Sequence, residues 1–210
     1  MKNNSKFLIL AMWLILAIGF ISYKVTLAAF RSSASNTNNT FAASSTFPSP
    51  CPSPSVTHVV INEVFSKGNK ENEWVELFNP TCSPIDVSGW TIKDHTSDTD
   101  TLPSVSPIPA KGFGVIIPSQ STVSIPSSAV TIQLGNNNIG SGLNDPGDEL
   151  HLKDTLNNTV DEMSYGNDHS IFTISAPTST QTQSRHPNGV DTDTAADWAL
   201  ENLSIGTTNP

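Results

Sequence analysis

From Thr57 onward the chain is a succession of short apolar segments broken by turn residues. Segments 58–65, 73–78, 85–92, 113–117, 130–134, 149–152 and 159–165 are each rich in Val, Ile, Phe, Trp or Tyr. Clusters such as Asn79-Pro80, Ser88-Gly89, Gly135-Asn136 and Asp145-Pro146-Gly147 bound them, as strand ends require. Glu149 to Lys153 alternates with period two, the mark of a half-buried strand. No segment after residue 30 keeps a 3.6-residue period. This pattern predicts an all-β domain, a sandwich or small barrel with almost no helix.

Composition narrows the function classes. Ser, Thr and Asn number 28, 22 and 19 of 210 residues, which is unlike a coiled coil or long-helix protein. The 10 Lys+Arg stand against 19 Asp+Glu, a net charge of −9, so no basic surface is at hand for nucleic acid. Two Cys cannot build a disulfide-dense scaffold or a four-ligand structural zinc site. The 36% hydrophobic content leaves room for one modest core.

The N-terminus reads as a targeting segment. MKNNSK is followed by the apolar run FLILAMWLILAIGFISY over residues 7–23, then by Ala28-Ala29. A basic start, an apolar stretch and small residues form a secretory signal. The run is also at the short limit for a spanning helix. Residues 1–30 are therefore expected to be a signal peptide or, uncleaved, a helical membrane anchor through residues 7–23. Residues 31–55 are Ser, Thr, Asn and Pro with isolated Phe41 and Phe47. Such a segment cannot bury enough apolar surface to order itself, so a disordered stalk is expected there. Val25-Thr26-Leu27-Ala28-Ala29-Phe30 and Asn39-Thr40-Phe41-Ala42-Ala43-Ser44 resemble the leader of secreted bacterial biofilm-fibre and camelysin-type proteins. That resemblance implies cleavage by a dedicated ER-type signal peptidase. It departs at Ser44-Ser45, where that family often has Gly.

The folded part carries an ordered series of motifs. Val59-Val60-Ile61-Asn62-Glu63-Val64 precedes Glu73-Trp74-Val75-Glu76-Leu77-Phe78-Asn79-Pro80. Pro84-Ile85-Asp86-Val87-Ser88-Gly89-Trp90 follows, then Ile108-Pro109-Ala110-Lys111-Gly112-Phe113. Gly147-Asp148-Glu149-Leu150 and Val160-Asp161-Glu162-Met163-Ser164-Tyr165-Gly166 close the set. The series resembles the lamin-tail domain in its secreted bacterial form. It implies an immunoglobulin-like β-sandwich over residues 56–167, with Trp74 and Trp90 supplying much of the core. Residues 168–210 are expected to pack on that sandwich or trail from it. No heptad is present, so filament assembly of the nuclear kind is not implied.

Candidate chemistry is sparse. If segments 58–65 and 73–78 pair antiparallel, Cys51 and Cys82 approach from one end. A disulfide there would close a loop of about 30 residues and add about 3 kcal/mol; two free thiols are the alternative. From residue 56 on, 6 Lys+Arg face 19 Asp+Glu, a balance of −13. Asp191, Asp193 and Asp197 form the best calcium candidate, because calcium favours several loop oxygens. They match no EF-hand loop, and a solvated acidic face explains them as well. No HExxH and no G-x-S-x-G elbow occurs. Glu63, Glu73 and Glu76 read as fold residues, and the Gly135–Gly142 stretch reads as a loop without the Lys of a phosphate cradle. The sequence thus predicts a non-catalytic exported or surface-tethered domain without a cofactor, acting in adhesion, tethering or extracellular interaction. Its partner is expected to be a protein, glycan or envelope component, not nucleic acid. A secreted matrix or fibre subunit, or a hydrolase with an unrecognised site, are the competing readings.

Overall fold

A computed structural model describes Cys51 and residues 54–210. The expected leader, anchor and most of the expected stalk lie outside these residues. Ten strands form two sheets: β1 (Val60–Phe65), β2 (Trp74–Phe78), β3 (Thr91–Lys93), β4 (Thr99–Thr101), β5 (Phe113–Ile117), β6 (Val130–Gln133), β7 (Gly147–Lys153), β8 (Thr159–Gly166), β9 (Gln181–Arg185) and β10 (Trp198–Asn202). One sheet has the order β10-β9-β1-β2-β5-β6 and the other β4-β3-β7-β8. All neighbours are antiparallel except β5 and β6. The one helical element among the described residues is a 3-10 turn at Ala195–Asp197. No helix there is long and apolar enough to cross a membrane.

The core lies between the sheets. Ile61, Val64, Val75, Leu77, Ile116 and Ile132 of the larger sheet meet Ile92, Leu150, Leu152, Met163 and Tyr165 of the smaller one. Period two decides the sides. On β7, Leu150 and Leu152 are fully buried, while Glu149, His151 and Lys153 are half-buried on the opposite face. On β5 the inward residue Gly114 has no side chain because a Cβ there would sit 2.7 Å from Ile108. The Ile108 side chain, with Ile132 of the neighbouring β6 beside it, leaves no room at that point for anything larger.

The larger sheet also buries its outer face. Trp74, Val115 and Ile117 are covered there by Val123, Ile125, Ala129 and Ile205, and Val60 and Phe78 by Val56. Trp74 therefore packs outside the space between the sheets, stacked on Phe65 at 5.9 Å. Trp90 is only half-buried at the margin of the main core, and Trp198 is the tryptophan buried within it.

Three further differences from the sequence reading have clear causes. Segment 85–92 is strand only over its last residues: Ile85 makes one isolated bridge to Ile108, and Gly89 at φ 77° turns the chain before β3. β4 reads Thr-Asp-Thr and carries no apolar signal. Residues 168–210 supply β9 and β10, and β9 lies between β1 and β10 inside the larger sheet.

Candidate functional site

Buried charge marks the candidate sites. Of the acidic side chains, Glu63, Glu73, Glu76, Asp94, Asp100, Asp148, Asp161 and Asp197 are all buried. A buried carboxylate is costly unless hydrogen-bonded. Each of these accepts at least one backbone N–H from a loop or strand.

The first cluster surrounds Arg185, which is fully buried. Its Nη2 donates to both oxygens of Asp161, at 2.8 and 2.9 Å. Its Nε donates to the Ile61 carbonyl at 2.7 Å, and Asp161 Oδ2 accepts the Ile61 N–H at 2.6 Å. The reason is local. β1 bulges between Ile61 and Glu63, and β9 pairs only with Glu63 and Val64. The ion pair thus bonds both backbone groups of Ile61 where β9 does not. The guanidinium also lies 4.6 Å from the Trp198 ring centroid. Burial pushes the Asp161 carboxyl up to about 6, against the pull of Arg185 and of the Ile61 N–H.

Two of the three calcium candidates belong to this cluster. Asp191 Oδ1 is 3.1 Å from Arg185 Nη1 but off the N–H direction, so the contact is ionic. Its Oδ2 meets His58 Nε2 at 3.0 Å, and this bond raises the His58 pKa and lowers that of Asp191. Asp197 lies 3.5 Å from Arg185 Nη1 and accepts the Thr192 N–H and hydroxyl, both at 2.7 Å. Asp193 is exposed, at φ 55°. The position between Asp191 and Asp197 thus already faces a permanent cation. Arg185 was not among the sequence candidates, although it is the only Arg after Arg31, an available signal.

The second cluster holds the glycine-rich loop. Four N–H groups at its end and in the two residues after it donate to four different carboxylates: Gly140 to Asp100 at 2.6 Å, Ser141 to Asp94 at 2.7 Å, Leu143 to Glu73 at 2.9 Å and Asn144 to Asp148 at 2.8 Å. A phosphate cradle turns such N–H groups toward a ligand; here they turn inward to the protein's own anions. A Cβ on Gly140 would lie 2.5 Å from the Asp94 carboxyl carbon, so only glycine lets the loop approach. Burial pushes the Glu73 carboxyl up to about 7.

Asp94, His95 and Asp148 bring two carboxylates and an imidazole within 4.8 Å of one another, a set that can hold a divalent ion by distance. Its oxygens already have donors. Asp94 Oδ1 accepts the Thr96 N–H and hydroxyl, and Oδ2 accepts the Ser141 N–H and hydroxyl. Asp148 Oδ1 accepts the N–H groups of His95 and Glu149 and meets His95 Nδ1 at 2.7 Å, while Oδ2 accepts from Asn144. The chemistry this arrangement performs is loop fastening.

A recess of about 420 Å³ lies where residues 54–56 meet the end of β2. Pro54, Val56, Phe78, Pro80, Pro187 and the Lys111 stem line it. The Lys111 ammonium donates to the Pro80 carbonyl. Nearby, Cys51 and Cys82 form a disulfide with a Cα–Cα distance of 5.8 Å, which ties the N-terminal strap to the β2–β3 loop.

The two-sheet all-β sandwich fits the immunoglobulin-like class. A family model, the Lamin Tail Domain, matches residues 52–167. The match spans more than half of the 210 residues, and the chain belongs to this family of non-catalytic domains. No curated protein matches it.

Proposed function

We propose that this protein is an exported or surface-tethered interaction domain that acts in adhesion or tethering and performs no catalysis. The observation that carries the reading is the Cys51–Cys82 disulfide, since such bonds persist in oxidising compartments outside the cytoplasm. Cys51 lies near the end of the stalk expected from sequence over residues 31–55, and the bond fastens that end to the folded domain. An apolar run at residues 7–23, retained or cleaved, would place the sandwich at the membrane or in the medium. The partner class is a protein, glycan or envelope component contacted by the sandwich surface.

Maleimide trapping in intact producing cells, followed by shaving with an impermeant protease, tests this. The expected result is an unlabelled disulfide and a sandwich lost on shaving. Free thiols in a protease-protected chain would sink the export reading. Saturable binding of the protein to envelope fractions, competed by unlabelled protein, tests the interaction role. Concentration-dependent fibres would instead favour a matrix subunit.

A further inference from the structure

The outer face of the larger sheet carries two carboxyl groups without a cation. Glu63 of β1 and Glu76 of β2 are register partners, so their side chains leave the same face side by side. Both are 0% exposed. Every donor to them is neutral. Glu76 accepts from Asn62 Nδ2 at 2.8 Å and from the Gly206 N–H at 2.6 Å. Glu63 accepts from the Thr182 hydroxyl at 2.7 Å and from the Ser204 N–H and hydroxyl, both at 2.9 Å.

The surrounding elements bring no compensation. β9 offers Thr182 and Ser184, β5 and the segment after it offer Val115, Val123 and Ile125, and the C-terminal segment offers Ser204, Gly206 and Asn209. The nearest further charge is Glu201 of β10, which adds repulsion to Glu63 and is itself paired with His186 at 2.9 Å. Two like charges side by side in a dry site do not both ionise readily. Burial accordingly raises the Glu63 carboxyl and pushes that of Glu76 up to about 8.

We propose that residues 203–210 are a proton-controlled strap, held on the sheet while the Glu63–Glu76 pair keeps a proton and released when that proton is lost. Ionised carboxylates accept the Ser204 and Gly206 N–H groups more strongly, but only by keeping two charges from water. Linkage sets the direction. The closed form binds that proton more tightly than the open form, so rising pH favours opening. Ile205 leaves with the strap and uncovers the Trp74 and Val115 cluster beneath it.

Hydrogen exchange of the full-length protein, read by mass spectrometry from about pH 6 to pH 9 and corrected for base catalysis, tests this. Protection of residues 203–209 is expected to fall at least about tenfold over that range, while residues 74–78 keep theirs. Glu76→Gln, a neutral isostere, is expected to hold the strap at every pH. Unchanged wild-type protection would overturn the proposal, as would Glu76→Gln losing protection in parallel with wild type. If that variant does not fold, carbon-13 titration of the wild-type glutamate carboxyls decides: a strap-coupled carboxyl titrating near neutrality or above supports the latch, and all of them titrating below about pH 5 refutes it.

Discussion

The Arg185 guanidinium on β9 grips both oxygens of Asp161 on β8, and so joins the two sheets through a buried ion pair. Replacing Arg185 by Met strands Asp161, Asp191 and Asp197 together without their cation. The expected loss is about 3–5 kcal/mol, the usual cost of breaking a buried pair by removing one partner. Urea unfolding measures it. A change under about 1 kcal/mol would mean that the pair is not holding the sheets together.

Residues beyond the family match are expected to be indispensable. A chain ended after residue 167 loses β9, β10, Arg185 and the cover over Glu63 and Glu76. It exposes the edge of β1 and leaves Asp161 unpaired. Such a chain should show no cooperative thermal transition by circular dichroism. A sharp melt at the wild-type temperature would show that the extension is dispensable.

Stability should fall as pH rises from about 4.5 to about 8. The folded state holds protons on Glu73 and Glu76 with pKa values of about 7 and about 8, against an ordinary 4.5. A raised carboxyl pKa gives stability that is complete below the unfolded value and is lost as pH climbs through the folded one. His58, raised by Asp191, acts in the same direction, its contribution being full below 6.5. Thermal melts across this range are expected to show a falling Tm, with a shallower fall in Glu73→Gln. A Tm that stays level or rises contradicts these assignments.

Calcium should not stabilise the domain. Asp191 and Asp197 face Arg185, and Asp193 stands apart in solvent. A calcium ion needs six or more oxygens and would have to displace or tolerate the guanidinium. Melts in millimolar calcium and in chelator are expected to coincide. A calcium-dependent rise in Tm that Asp193→Asn abolishes would establish a site at these residues.

Legibility in the sequence followed apolarity. β1, β2, β5, β6, β7 and β8 announce themselves through Val, Ile, Leu and Phe, because their inward residues meet other side chains of the same kind. β9 reads Gln-Thr-Gln-Ser-Arg and has no such signal. Its Thr182, Ser184 and Arg185 are nonetheless fully buried, because Glu63 and Asp161 were placed earlier in the chain to receive Thr182 and Arg185. The complementarity is between residues 119 and 24 positions apart, which no local pattern records. The glycine-rich loop was legible as a loop, but not as one held by Glu73, Asp94, Asp100 and Asp148. Gln183, fully buried with no hydrogen-bond partner for either side-chain polar atom, has no physical account in the structure.

The Cys51–Cys82 disulfide also fixes a mechanical path. Tension applied to the chain ahead of Cys51 crosses to Cys82 through the sulfurs, so residues 52–81 lie off the covalent path of a load whose other end lies beyond Cys82. β1 and β2, the two strands at the centre of the larger sheet, fall inside that bypassed loop. A pull on the stalk therefore enters the sandwich at the loop joining β2 of one sheet to β3 of the other, and not through β1.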